Sequence, residues 1–448
     1  MIIGAILYPA WELLDVQGPF SVLMKIASQS QSSKTTKFTV VGPSIDHPVL
    51  GRAHFPVMAD YDYETCPQLD VLIVPGGIGF LSAAQDPRML DFLRKQAVNA
   101  KFVTSVCTGS AVLAEAGLLE GKKATTNKAY FDISACYGKN VEYVHEARFV
   151  EDGKIITASG VSAGVDMGFM LGRKLFGDAA VDGVLKSIKY EPVDPKDDVF
   201  AKIHGRKSYI PSYLVSTYLH TRAHTIVPAA TDPHAPKFTK TYPYLPFNLS
   251  TQSYKPKHLA LLLFPGFDTL DVAGVLESFQ ELDPAEWYFE VVGVGTEVVK
   301  GGDSSSREVH LREVMGVRCD RYLVGDVRKG GVFPDGKPAV VLVPSAGAAF
   351  EGRVGTAVLD ALVECKDTWV VGSGEQVARK FAEKGVVSGG GKGWNRKGQW
   401  YVAETGLIGI TAALDVVQQL VSVEAARHVA VEMEIIPSLL PEGLTLVA

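Results

Sequence analysis

Cysteine is scarce in this sequence: five among 448 residues, at positions 66, 107, 136, 319 and 365. They are odd in number and scattered, with no C-x-x-C pair, which argues against a disulfide framework or a zinc site and for a reducing compartment. An excess of one charge is also missing. The 44 basic and 50 acidic residues leave a net charge of -6, so nothing points to nucleic acid or an anionic membrane as partner. No apolar run reaches the ~18 residues of a membrane span. The opening "MIIGAILYPAWELLDV" lacks the basic start of a signal peptide and reads as a buried strand. The expected setting is cytoplasmic, with a small-molecule substrate as partner and neither metal nor cofactor.

Internal repetition is what the chain has in plenty. "AILYPAWELLDVQGPFSVL" (5–23) returns as "LLLFPGFDTLDVAGVLESF" (261–279), and "FTVVGPS" (38–44) as "FEVVGVG" (289–295). "LDVLIVPGG" (69–77) is matched by "PAVVLVPSAG" (338–347), and "KFVTSVCTGS" (101–110) by "TWVVGSGEQ" (368–376). The stretch 153–175 is echoed by 398–420. Five matches in one order predict a tandem duplication rather than a solenoid. The expected domains are 1–200 and 257–448, joined by a Pro- and aromatic-rich linker over 201–256.

Within each half, short apolar runs bounded by Gly and Pro alternate with helical segments such as 84–98 and 109–117. Runs apolar on both faces belong to a parallel sheet covered by helices on each side. The expected fold class is α/β: two doubly wound, flavodoxin-like parallel-sheet domains in tandem, with ligands at the carboxyl ends of the strands.

Cys107 ends an apolar strand where a helix begins. A side chain at such an elbow projects from the sheet, and free helix amides with the positive dipole end favour thiolate. The same amides can hold an oxyanion. "PGG" at 75–77 closes the neighbouring strand. Gly76 and Gly77 let that backbone approach a ligand, and Thr108 adds a hydroxyl. The other four cysteines read as small buried hydrophobes. Asp15 lies within the apolar "LLDV" after strand one. It is either an N-cap for a helix starting near Gly18 or a general acid beside Cys107, since a neighbouring thiolate and carboxylate share a proton.

These stretches, with "SVCTGSAVLAEAGLL" (105–119), "KKATT" (122–126), "ITASGVSAGVDM" (156–167) and "KYEPVDP" (189–195), resemble the ThiJ/PfpI superfamily of class I glutamine amidotransferase-like fold. Within it, the elbow Cys-Thr together with an aspartate after strand one resembles the isocyanide (isonitrile) hydratase branch. Other branches carry a glutamate at that place or a histidine after the elbow. The resemblance implies hydration of an isocyanide to an N-substituted formamide through a thioimidate on Cys107. Asp15 would move the proton, and the amides near Gly77 and Thr108 would face the intermediate. Its alternatives are a glyoxalase-like or secondary-metabolite enzyme using the same cysteine, or a redox- or ligand-sensing module. Superfamily members usually dimerise, which implies an internal pseudo-dimer and permits further homodimerisation.

The chain departs from relatives where they read "TTH", having Thr125, Thr126 and Asn127. His47, His54 and His145 are expected on the surface or in loops, with no spacing that ties them to Cys107. The second half resembles the same family without its chemistry. Gly372 and Ser373 stand where the cysteine is expected, and Pro344-Ser345-Ala346 replaces "PGG". No base is placed for Ser373. "SGGGKGWNRKG" (388–398) lacks phosphate-loop spacing, because Lys392 precedes glycine.

Overall fold

In a computed structural model the chain forms two compact units, residues 1–54 with 58–250 and residues 55–57 with 251–448. The structure describes 1–30, 35–52, 55–188 and 190–205 and, with short interruptions, most of 257–446. The predicted linker lies outside the described residues from 206 onward; its first residues belong to the helix Val199–His204. Among the described residues no helix is long and apolar enough to cross a membrane.

The first unit is built on a seven-stranded sheet. Its elements are β1 (Ile2–Ile6), α1 (Leu13–Gln29), β2 (Lys37–Gly42), β3 (Tyr61–Asp62), β4 (Val71–Val74) and α2 (Pro87–Asn99). Then come β5 (Phe102–Val106), α3 (Gly109–Glu115), β6 (Phe149–Asp152), β7 (Ile155–Ala158) and α4 (Val161–Phe176). The strand order is β6-β7-β5-β4-β1-β2-β3, parallel except for the edge strand β6. The inner run β2-β1-β4-β5-β7 is the flavodoxin-like arrangement, in which ligands bind outside the strand ends where the order reverses. Here that point lies between β1 and β4.

Sequence explains the elements locally. β4 and β7 are buried at every position, as strands covered on both faces must be. Asp86 caps α2, accepting from the Arg88 and Met89 amides, with Pro87 at the first helical position. Gly18 and Gly168 let α1 and α4 meet closely. A Cβ on Gly18 would stand 3.1 Å from Val165 Cγ2, and one on Gly168 3.0 Å from Pro19 Cα.

The second unit repeats the strand order. From one edge it runs Arg321–Leu323, Trp287–Val294, Lys257–Leu263, Val340–Val343, Trp369–Ser373, Trp400–Ala403 and the antiparallel Trp394–Lys397. Its core includes Phe264, Phe350, Leu359 and Phe381. Residues 388–393, with Lys392, lie outside the described residues; the rest of that stretch enters the hairpin of Trp394–Lys397 and Trp400–Ala403.

Candidate active site

The elbow begins where β5 ends. The Cys107 N–H donates to the Ala158 carbonyl at 3.1 Å, carrying the ladder with β7 one bond further. There the chain turns, with Cys107 at φ +57°. This left-handed conformation costs a residue with a side chain roughly 1–2 kcal/mol. Two hydroxyls grip its carbonyl, Thr126 Oγ1 at 3.0 Å and Ser110 Oγ at 3.3 Å. Bonds on both backbone groups hold the strained residue in place. Cys107 is 7% exposed.

Asp15 arrives from the first turn of α1. Its side chain is wholly buried, and Oδ2 accepts the Gly76 N–H at 2.8 Å. Beside it the Thr108 hydroxyl donates to the Gly77 carbonyl at 3.2 Å, which ties the elbow to the turn after β4. Cys107, Thr108, Asp15, Gly76 and Gly77 thus meet at the switch point of the sheet.

Several expectations are corrected by this geometry. The glycines of the turn give room to protein backbone. A Cβ on Gly76 would stand 2.6 Å from the Thr108 nitrogen, and one on Gly77 (φ +101°) 2.5 Å from the Ala10 carbonyl oxygen. The Gly76 N–H is engaged by Asp15, so Gly76 is not a donor for an oxyanion. Helix α1 begins at Leu13, not near Gly18, so Asp15 lies inside its first turn and Glu12 holds the N-cap place. Three of the other cysteines are not buried hydrophobes: Cys136 is exposed, and Cys66 and Cys365 are half-buried. Cys319 and His54 lie outside the described residues. His145 is buried, not on the surface, with its ring edge-on to Phe131 at 4.7 Å. His47 is exposed.

Other residues of the site escaped the sequence. Tyr8, 2% exposed, donates its hydroxyl to the Pro75 and Gly76 carbonyls at 2.5 and 2.8 Å. Burial first, then the charges of Asp15, Cys107 and Glu12, hold its pKa well above the ordinary tyrosine value. Its only sequence signal is its place beside Pro9 at the strand end. Lys128 is fully buried one residue after Asn127. Its Nζ donates to Thr125 Oγ1 and the Ala147 carbonyl, both at 2.7 Å, and stands 3.7 Å from the buried Asp198 Oδ2. No pattern marks it. Removing one member of such a buried pair costs about 3–5 kcal/mol. Arg148 bonds Asp166 through Nε and Ser162 through Nη2, and the Tyr190 hydroxyl donates to Asp166 at 2.8 Å. That network ties Tyr190 and Val193 of the "KYEPVDP" stretch to Asp166 of α4.

The second unit has the same frame with its side chains redistributed. Ser373 pairs with Ala403 as Val106 pairs with Ala158. The Gly374 N–H donates to the Ala403 carbonyl at 2.8 Å, as that of Cys107 does to Ala158. Gly374, not Gly372 or Ser373, therefore holds the cysteine's place, and it keeps the positive φ, +91°, which glycine adopts at little steric cost. The Ser345 N–H donates to Asp271 Oδ2 at 3.0 Å, the counterpart of the Gly76–Asp15 bond. Among the described residues, no group of three or more His, Cys, Asp or Glu could hold a metal ion.

Comparison with known proteins adds the following. The sequence pattern of the DJ-1/PfpI family matches residues 5–173. An isonitrile hydratase of Pseudomonas putida is 38% identical over 195 residues, 44% of this chain and 81% of that protein. Protein dj-1beta of Drosophila melanogaster is 28% identical over 122 residues, 27% of this chain and 64% of the relative. Among solved structures, a ThiJ/PfpI family protein from Pseudomonas syringae is similar at 31% identity and a TM-score of 0.38, over 50% of this chain and 86% of its own.

Proposed function

The chain belongs to the DJ-1/PfpI family, and from that premise we propose that it hydrates an isocyanide to an N-substituted formamide. The likeness to an isonitrile hydratase over most of that enzyme's length carries the reading. Cys107 and the buried Asp15 carboxyl both border Gly76, which supports it. We also read the second unit as a copy of the first that has lost the thiol.

The two groups share one proton, and the reactive form has it on Asp15, with Cys107 as thiolate. Sulfur attacks the terminal isocyanide carbon and Asp15 gives that carbon its proton, leaving a thioimidate and a carboxylate. Asp15 then takes a proton from water as the hydroxyl adds to the carbon, and passes it to the nitrogen. Transfer of the hydroxyl proton to Asp15 forms the carbonyl and expels the thiolate. One water is consumed and both groups return to their first state. With the Gly76 N–H spent on Asp15, the Gly77 and Thr108 amides are the donors proposed to face the intermediate.

The test is incubation of the full chain and of Cys107→Ser with a simple alkyl isocyanide. Formamide from the first and none from the second is the expected result. Equal background yields from both would overturn the reading.

A further inference from the structure

The hydroxyl of Tyr8 touches both carbonyls of the turn after β4, those of Pro75 and Gly76. The Pro75 carbonyl and the Gly76 N–H are two ends of one peptide group. That N–H donates to Asp15 Oδ2 at 2.8 Å. A continuous chain therefore runs from the Tyr8 hydroxyl through the peptide to the carboxyl. Hydrogen bonds in series polarise one another. A donor on the peptide oxygen makes its N–H a stronger donor, and a stronger donor favours the ionised carboxylate.

The second unit supplies an internal comparison. Counted along the strands that pair with the turns, Phe264 holds the place of Tyr8. Phe264 is 1% exposed and packs edge-on to Phe350 at 5.2 Å. There the turn still bonds Asp271, through the Ser345 N–H. The turn and its aspartate are thus built without the hydroxyl, so the frame does not need it. The hydroxyl is present in the unit that has the thiol.

We propose that Tyr8 is a positioning residue that acts on Asp15 through the Pro75–Gly76 peptide, making its carboxyl a stronger acid for protonating the thiolate adduct. This rests on the proton transfer assigned to Asp15 above. The titratable groups facing Tyr8 are Asp15, Cys107, Glu12 and Tyr63, and Glu12 is itself paired with Arg52 at 3.1 Å. Burial among them keeps Tyr8 protonated, hence a donor, across the working pH range.

Tyr8→Phe in the full chain tests this with two readouts that move in opposite directions. Turnover of an alkyl isocyanide falls, because Asp15 has become a weaker acid. Alkylation of Cys107 by iodoacetamide accelerates at neutral pH, because the shared proton then sits more on Asp15. Each change stays below about threefold, because a shift of about half a pH unit both weakens the acid and enlarges the thiolate fraction, and the alkylation midpoint moves down by less than about half a pH unit. In an Asp15→Asn background the same substitution changes neither readout. Both rates falling together, an undiminished effect in that background, or loss of the folded circular-dichroism spectrum would each overturn the proposal. Alkylation requires no isocyanide. A failure of the hydratase reading would therefore appear as wild-type inactivity, while the coupling of Tyr8 to Asp15 is still decided.

Discussion

Gly76 and Cys107 share one space, since a methyl on Gly76 would stand 2.7 Å from Cys107 Cβ. The second unit fills the corresponding space from the other side. There Ser345 has the side chain and Gly374 has none, and a Cβ on Gly374 would stand 2.3 Å from Ser345 Cβ. In each unit the two positions together have room for one side chain.

Gly76→Ala should therefore fail to fit. Its methyl also meets the Thr108 nitrogen at 2.6 Å, and backbone cannot swing aside as a flexible side chain would. Overpacking of this kind costs about 1–3 kcal/mol. We expect a lower urea midpoint together with slower Cys107 alkylation, as the elbow shifts. A variant with wild-type stability would show that the elbow has slack.

The cysteines should separate in a mass-mapped alkylation at pH 7. Burial, with Asp62 adding to it, pushes the Cys66 thiol up to about 12, so only about one molecule in 10⁵ is thiolate there. Burial also raises Cys365. Cys136 is the exposed competitor. Cys107 should label ahead of Cys66 and Cys365, and Cys136→Ser should leave its rate unchanged. Prior labelling of Cys66 or Cys365 would remove Cys107 as the nucleophile.

How much of this could be read from sequence depends on which residues announce themselves. The apolar runs ending in "PGG" and "VCTG" mark strands and their carboxyl ends, because parallel strands must be apolar on both faces. The start of α1 was hidden. Glu12 makes no capping bond, while Gly18 and Pro19 look like breakers although they sit in the helix and serve its contact with α4. Lys128 and Tyr8 owe their roles to where Ala147, Asp198 and the Pro75 carbonyl lie in space, and no spacing encodes that. Gly374 lies up to two residues from the place the sequence suggests, because a glycine elbow leaves no side chain to align on.

Asp15→Asn should keep the fold and lose the reaction. An asparagine can present its carbonyl oxygen to the Gly76 N–H, so the turn stays anchored, but it cannot pass a proton. The expected loss in turnover is about 10²–10⁴-fold, with the thermal midpoint within a few degrees of wild type. Retained turnover would reduce Asp15 to a strut for the turn.

The shared space makes its firmest prediction in the second unit. Gly374→Cys alone places a Cβ 2.3 Å from Ser345 Cβ at φ +91°, and should destabilise by about 2–5 kcal/mol from clash and left-handed strain together. Adding Ser345→Gly removes the clash and leaves the strain, so about 1–3 kcal/mol should return. Ser345→Gly by itself gains nothing comparable, because Gly374 already leaves its partner room. The two substitutions must then be strongly non-additive in a double-mutant cycle read by urea denaturation, whereas independent sites add to within about 0.5 kcal/mol. Additivity would mean that the two positions do not compete for one volume. The correspondence between Gly374 and Cys107 would then lose its steric basis, although the pairing with Ala403 would remain.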